Sequence, residues 1–368
     1  MERNAEIELA KQLNKKYEEE NFVLSPLGIE IILSLCSNGA EGETQYEILQ
    51  LLNYNSIEEA NKTSKKILKE FYKNKDILKI ANAILTKIKS TEKFFKTGTE
   101  EYDAKIEQLK NYEQVNKWVK KQTNNNIIKI INSIEENVLM ILLNAIYFEA
   151  SWSKQFDPKE NKIMDFFNLE PSNSKAVNMM ILRGELLNYF ENDFLQAVKL
   201  NYVSNNNSIN AIIILPKENI NNFINQFDNK QYEEIKKGLK KEKIKVNLFL
   251  PKFEVECIIN MGEILYDLGI KKAFTSKAEF KGICNNKDLF IGKVLQKNYI
   301  MINEQGTKAS SVTEAEMIYE CYKDKDNDAK DFLANKPFLF LLINENFPKG
   351  HDLLFFTKIC LLEDDDDY

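Results

Sequence analysis

Ile302 to Ile318 reads INEQGTKASSVTEAEMI, a stretch with the side-chain pattern of an interior strand. From Gly306 onward it contains no Pro. Its odd positions are Thr307, Ala309, Ser311, Thr313, Ala315 and Met317, all small or uncharged, while its three charges, Lys308, Glu314 and Glu316, fall on even positions. Side chains of a strand alternate between two faces, so this segment can enter a sheet with the uncharged face inward and the charges outward. A slip of one residue would bury all three charges at a cost of several kcal/mol each. Ordering a residue costs about 1–2 kcal/mol and a net backbone hydrogen bond returns about 0.5–1.5 kcal/mol, so ladder formation alone nearly cancels. Spontaneous entry therefore needs stress stored in a sheet that is incomplete until the segment arrives. An ordinary edge strand or exposed loop is the plainer alternative.

Around this stretch the chain alternates in texture. Apolar segments at Val138–Phe148, Asn210–Leu215, Val246–Phe253 and Phe338–Ile343 are closed by polar residues or Pro and predict strands. Ser25 followed by Pro26 is a helix N-cap and first-turn pair. Ile29, Ile32, Leu33 and Cys36 then recur at helical spacing as far as Gly39, predicting a buried helix. Val115, Trp118, Val119, Ile127 and Ile130 predict a surface helix, and Asn229–Lys245 a solvated one. Helical patterns crowd the first third and strands the rest, which argues for an α+β fold with antiparallel or mixed sheets. At 368 residues the chain is long for one core, yet 12 Gly and 7 Pro offer no linker, so a single domain over residues 1–368 is expected.

Composition excludes several functions. Hydrophobic residues at 43% and charged residues at 29% fit a globular protein, and a net charge of -6 provides no basic field for nucleic acid. The longest apolar runs, 138–143 and 338–343, fall far below the roughly 18 residues of a membrane span. The opening MERNAEIELAKQLNKKYEEE lacks the apolar centre of a secretory signal, so a cytoplasmic location, or export without a classical signal peptide, is expected. Five cysteines without a CxxC pair suggest free thiols. The single histidine, His351, lies in FPKGHD, where Pro348 and Gly350 predict an exposed turn rather than a catalytic base. Neither a Cys/His metal site nor a glycine-rich phosphate cradle is apparent, although 56 acidic residues leave a carboxylate-only site open. The end of the chain, 363–368, reads as a solvated acidic tail.

Seven ordered stretches carry a family likeness. They are NFVLSPLGIEIILSLCSNGAEGET from Asn21, KIANAI from Lys79, LLNAIYFEASWSKQFDP from Leu142, VNLFLPKFEVE from Val246, LYDLGIKKAF from Leu265, INEQGTKASSVTEA from Ile302 and NKPFLFLL from Asn335. Over nearly its whole length the chain resembles the serpins. The resemblance implies three β-sheets, eight or nine helices and an exposed reactive loop at about 304–334. It further implies a monomeric inhibitor of serine proteases, chymotrypsin-like ones favoured, that needs no metal or cofactor and is not itself an enzyme. Loop insertion of this kind is a known mode of strand addition and strain release. The implied hinge comprises Glu304, Gly306, Thr307, Ala309, Ser311 and Thr313. Gly306 lets it bend, and Thr307 is the first residue to be buried.

The likeness leaves some positions open. Counted from Gly306, the cut falls at Glu320, with Cys321 following; counted back from Pro337 it falls at Asp326, which implies an insertion within 321–331. The hinge count is preferred, because it fixes how far a protease is dragged. Tyr319, Tyr322 and Lys323 are rival recognition residues for chymotrypsin-like or trypsin-like targets. Ser25, Asn144, Trp152 and Gln296 are implied to control sheet opening. Gln296 stands where relatives often carry His, Gly28 where they carry a second Ser, and Lys308 where Glu is commoner, so a weaker hydrogen-bond cluster is expected. Lys62, Lys65, Lys66, Lys69 and Lys73 stand where heparin-activated relatives bind polysaccharide, and helical spacing clusters some of them. A solvated lysine-rich helix is simpler in a protein of negative net charge. A non-inhibitory chaperone, carrier or storage serpin, and a cross-class inhibitor of cysteine proteases, remain alternatives.

Overall fold

A computed structural model describes residues 5–122, 128–170, 173–204, 208–285, 289–307 and 328–364. Among them are the helices α1 (Ala5–Lys16), α2 (Pro26–Ser37), α3 (Gly42–Leu51), α4 (Ile57–Lys73), α5 (Glu92–Lys96), α6 (Tyr112–Gln122), α7 (Ile220–Gln226), α8 (Asn229–Gly238) and α9 (Gly262–Asp267). The strands are β1 (Phe22–Leu24), β2 (Leu78–Thr86), β3 (Lys105–Gln108), β4 (Met140–Phe148), β5 (Ala150–Ser151), β6 (Lys162–Phe167), β7 (Ser174–Glu191), β8 (Leu195–Asn201), β9 (Ile209–Pro216), β10 (Ile244–Pro251), β11 (Phe253–Asn260), β12 (Lys293–Ile302), β13 (Gly306–Thr307), β14 (Lys330–Leu333), β15 (Phe338–Asn344) and β16 (Leu353–Ile359).

The central sheet runs β3-β2-β4-β12, with β11 on the far edge of β12 and the short β13 and β5 at one end. The remaining strands form one continuous ladder, β1-β16-β15-β9-β8-β7-β10-β14 with β6 beside β7. The long β7 belongs to two sheets, pairing with β10 and β6 through its first part and with β8 through Asn188–Glu191. A bulge marks the change. The register with β10 shifts between Val246 and Leu248, Gly184 takes a φ of +59°, and its N–H donates to Asn247 Oδ1 at 3.0 Å. Three sheets result, as the resemblance implies.

Every residue of α2 is buried, as befits a helix apolar on nearly all sides. Ser25 caps it, its Oγ accepting from Gly28 N at 3.3 Å. All of β4 is buried too, because α2 covers one face of the central sheet and α6 the other. Under α6, Val115, Trp118 and Val119 pack on Ala83, Leu143 and Leu295 of the sheet, a second core separate from the main one.

Three predicted elements change length. The helix expected from Val115 to Ile130 is described only as far as Gln122; Ile127 lies outside the described residues, and Ile130 is not helical. Asn116 explains the packing there: its Oδ1 accepts from Ile130 N and Ile131 N, and its Nδ2 donates to Ile131 O, so both isoleucines join the small core from an irregular segment. The helix expected over Asn229–Lys245 stops at Gly238, where a Cβ would stand 2.2 Å from Phe190, and β10 begins at Ile244. The strand expected over Val246–Phe253 breaks at Lys252 into β10 and β11, which serve different sheets.

Candidate functional site

Strand β12 pairs with β11 along one edge, from Leu295 to Ile302. Its other edge is shared. From Lys293 to Asn298 it pairs with β4, parallel, and at Ile302 it pairs instead with Thr307 of β13. The β4–β12 seam is therefore closed at one end and parted at the other, and the first residues of the predicted hinge sit in the parted end. Gly306 and Thr307 also pair with Ser151 and Ala150 of β5.

Local chemistry holds the hinge there. Gly306 has a φ of +154°, and a Cβ at this position would lie 2.1 Å from the Ala150 carbonyl oxygen, so glycine is required on both counts. Asn303 Oδ1 accepts from Gln305 N at 3.0 Å and Gly306 N at 3.1 Å, and Asn303 N donates to Gly306 O at 2.9 Å, which closes a tight turn after β12. Thr307 is buried already, and its Oγ1 shares a 2.5 Å hydrogen bond with the Tyr202 hydroxyl. Burial pushes the Tyr202 pKa far up, so the hydroxyl keeps its proton. Trp152 stacks on Tyr202 at 4.2 Å, donates its indole N–H to Asn303 O at 2.9 Å, and donates its backbone N–H to Gln305 O at 2.8 Å. Glu304 is clamped by Lys252 Nζ and by Asn161 Nδ2, each at 2.5 Å. Burial pushes its carboxyl up, but Lys252 and Asn161 outweigh this and hold it below the usual carboxylate range.

A second cluster crosses the closed end of the seam. Gln296 accepts from Ser25 N at 2.9 Å and from Asn298 Nδ2 at 2.7 Å, and donates to Ser25 O at 2.8 Å and Asn144 Oδ1 at 2.9 Å. Asn144 Nδ2 donates in turn to Asn82 Oδ1 at 2.8 Å, and Asn298 Nδ2 to Val23 O at 3.0 Å. All of these side chains are buried. The structure thus unites Ser25, Asn144 and Gln296 but places Trp152 apart, beside the hinge. At the seam itself, Gln296 and Asn144 are each hydrogen-bonded through both amide oxygen and amide nitrogen. The Gln296 amide satisfies acceptor and donor together, and the missing side chain at Gly28 makes room for the Asn144 amide, whose Oδ1 lies 2.1 Å from where a Cβ would be. Sequence reading missed Asn82 and Asn298; for Asn82, an asparagine between the alanines of a mostly apolar strand was the available signal.

Other predicted residues fall as follows. Ala309, Ser311, Thr313, Tyr319, Glu320, Cys321, Tyr322 and Lys323 lie outside the described residues, as do 365–368 of the acidic tail; Asp364 is pinned to β7 through Lys175 Nζ and Ala176 N, both at 2.9 Å. Of the loop expected at about 304–334, Gly306–Thr307 lie in β13 and Lys330–Leu333 in β14, and 308–327 lie outside the described residues. Lys62, Lys65, Lys66 and Lys69 are exposed on α4. Cys36, Cys257, Cys284 and Cys360 are free thiols. His351 does lie in the turn between β15 and β16, but it is half-buried rather than exposed. Its Nδ1 is 2.9 Å from Glu30 Oε2, and its ring stacks on Tyr54 at 6.0 Å. Its polar partner is a carboxylate on α2, not a serine or cysteine. Among the described residues no helix is long and apolar enough to cross a membrane.

A model of the family described as serpin (serine protease inhibitor) matches residues 3–360. An uncharacterized serpin-like protein of Thermococcus kodakarensis is 30% identical over 336 residues, 88% of this chain and 77% of its own length. The leukocyte elastase inhibitor of Xenopus laevis is 27% identical, covering 95% of this chain and 96% of its own. The native structure of tengpin, a thermophilic serpin, superposes with a TM-score of 0.85 at 30% identity, covering 98% of this chain and 92% of that one. With three sheets, Gly306 seated at the parted end of the central sheet and a family match over nearly its full length, the chain belongs to the serpin family.

Proposed function

We propose that this serpin is a suicide-substrate inhibitor of serine proteases. The observation that carries this is the seating of Gly306 and Thr307 in the parted end of the β4–β12 seam. Continuing the observed Ile302–Thr307 register down β12 would set Ala309 opposite Ile300, Ser311 opposite Asn298, Thr313 opposite Gln296 and Ala315 opposite Val294. These β12 residues are all buried. The uncharged face of the loop then meets the main core, and Lys308, Glu314 and Glu316 take the other face. Asn298 Oδ1, buried without a hydrogen-bond partner, lies opposite the serine hydroxyl that would arrive.

In this reading the target's serine attacks the loop carbonyl, at Glu320 by the hinge count. The peptide bond breaks, the amine of Cys321 leaves with a proton, and an ester joins Glu320 to the protease. The freed strand then zips into the seam and drags the protease across the sheet before water can cleave the ester. No residue of the inhibitor performs the chemistry. A chymotrypsin-like target fits Tyr319 and Tyr322, and the exposed lysines of α4 are a secondary candidate for polyanion contact.

Incubation with a panel of serine and cysteine proteases, followed by denaturing electrophoresis, tests the reading. A stable covalent band with a serine protease is expected. Clean cleavage by every protease would favour a carrier or chaperone serpin.

A further inference from the structure

A cleft of about 780 Å³ opens between α6 and the edge of the central sheet, lined by Ile80, Ala81 and Trp118 and rimmed by Lys105, Lys110, Lys117 and Lys121. The rim also holds two carboxylates, and both are engaged. Glu107 is bound by Lys105 Nζ at 2.9 Å and Gln114 Nε2 at 2.7 Å, and Asp103 takes a hydrogen bond from Tyr72. Lys110, Lys117 and Lys121 are exposed and have no ion-pair partner among the described residues. The helix dipole accounts for cations in the last turn of α6, but it disfavours Lys110, which lies ahead of the first turn. Lys117 and Lys121 stand at i,i+4, where like charges repel on the helix surface. In a chain of net charge -6 this is a concave site whose four lysines outnumber its two carboxylates.

The floor is open as well. Strand β3 pairs with β2 only from Ala83 to Thr86, so the outer edge of β2 at Ile80–Asn82 faces the cleft without a strand partner among the described residues. The underside of α6, meanwhile, lies across β2, β4 and β12 through Val115, Trp118 and Val119. A strand entering between β4 and β12 must pass beneath it.

We propose that this cleft binds a compact polyanion of the polyphosphate or phosphorylated small-molecule class, which ties α6 to the β2–β3 edge and slows the lifting of α6 that loop entry requires. The slowing rests on the inhibitory reading; the binding does not. Calorimetric titration of the uncut full chain with tripolyphosphate should show a single saturable site that weakens with salt. The double variant Lys117→Glu/Lys121→Glu should weaken it about tenfold or more, and Lys110→Glu, outside the helix, should weaken it in the same direction. A Lys65→Glu/Lys66→Glu variant on α4 should bind as the parent does. With a protease that forms the covalent band, saturating tripolyphosphate should slow complex formation several-fold in the parent and not in the double variant. Absence of saturable binding at low salt, equal affinity in the cleft variants, loss confined to the α4 variant, or binding without slowing would each overturn the proposal. Because the titration needs no protease, a chain that forms no covalent complex would sink the inhibitory function while the cleft stood or fell on its own measurement.

Discussion

Gln296 and Asn144 sit directly opposite each other on β12 and β4, and the 2.9 Å hydrogen bond between their side chains spans the seam through which the loop would enter. Asn82 stands opposite Asn144 on β2, so three amides form a row across three strands. The row is a latch made of side chains laid over the backbone ladder. Its members are buried, which makes each bond costly to leave unmade, on the order of 1–3 kcal/mol per orphaned group. Gln296→Ala removes four hydrogen bonds at once and orphans groups on Ser25, Asn144 and Asn298. A loss of about 3 kcal/mol or more in denaturant unfolding is expected, together with self-association on mild heating as the seam opens. A variant with the parent's midpoint would show that the row is no latch.

The same row explains a glycine. Because a Cβ on Gly28 would collide with the Asn144 amide, Gly28→Ala should expel that side chain and cost about 1–3 kcal/mol. In an Asn144→Ala background the clash is gone, and alanine becomes favourable by up to about 1 kcal/mol through helix propensity. The double-mutant cycle should therefore be strongly non-additive. Additive effects would mean that Gly28 serves some purpose other than housing the amide.

Much of this architecture was legible in the residues. The alternation after Gly306, the Ser25–Pro26 cap and the long apolar strands all follow from local periodicity, and the family likeness added the sheets and the hinge. Three things were not legible. Asn82 and Asn298 matter because register aligns them with Asn144 and Gln296, and register is a property of paired strands that no single stretch displays. Glu304 gains its role from Lys252 and Asn161, both distant in the chain. His351 reads as an exposed turn residue because the turn signal is local, whereas the Glu30 and Tyr54 that bury it come from α2 and the turn after α3.

Thr307 tests the hinge. Its side chain fills a buried site against Tyr202, so Thr307→Arg would require a charge to be buried at a cost of several kcal/mol. The loop should then be cut without being trapped, and the ratio of inhibitor consumed to protease inactivated should rise about tenfold or more. Tyr202→Phe is the milder companion. It leaves the threonine hydroxyl unpaired at about 1–3 kcal/mol and should lower the unfolding midpoint without abolishing the covalent band. Persistence of the parent's stoichiometry in Thr307→Arg would show that trapping does not need residue 307 to stay seated in the sheet.

Acid should loosen the hinge through Glu304. Its folded-state pKa is depressed, because Lys252 and Asn161 more than offset the effect of burial. A carboxyl of this kind contributes stability that is present above the unfolded-state pKa, near 4.5, and that is lost as pH falls through the lower folded value. Limited proteolysis of residues 304–307 should therefore accelerate only in the acid range below that unfolded value. Glu304→Gln should be susceptible at neutral pH and should show a flatter pH profile. If parent and variant share one profile, the acid response belongs to another group.

The two faces of the loop make the sharpest distinction between an inserting and a non-inserting serpin. If the Ile302–Thr307 register continues, Thr313 comes to rest opposite buried Gln296, while Ser310 comes to rest opposite Tyr299 on the other face. A glutamate at the first site must carry its charge into the buried seam between Gln296 and Asn144; at the second it joins Lys308, Glu314 and Glu316, which share that face. Thr313→Glu should therefore abolish the covalent band and any gain in melting temperature after the loop is cut. Ser310→Glu should retain both. Equal behaviour of the pair would mean that the loop recognises no inside and outside, and the uncharged face after Gly306 would then have some use other than entry between β4 and β12.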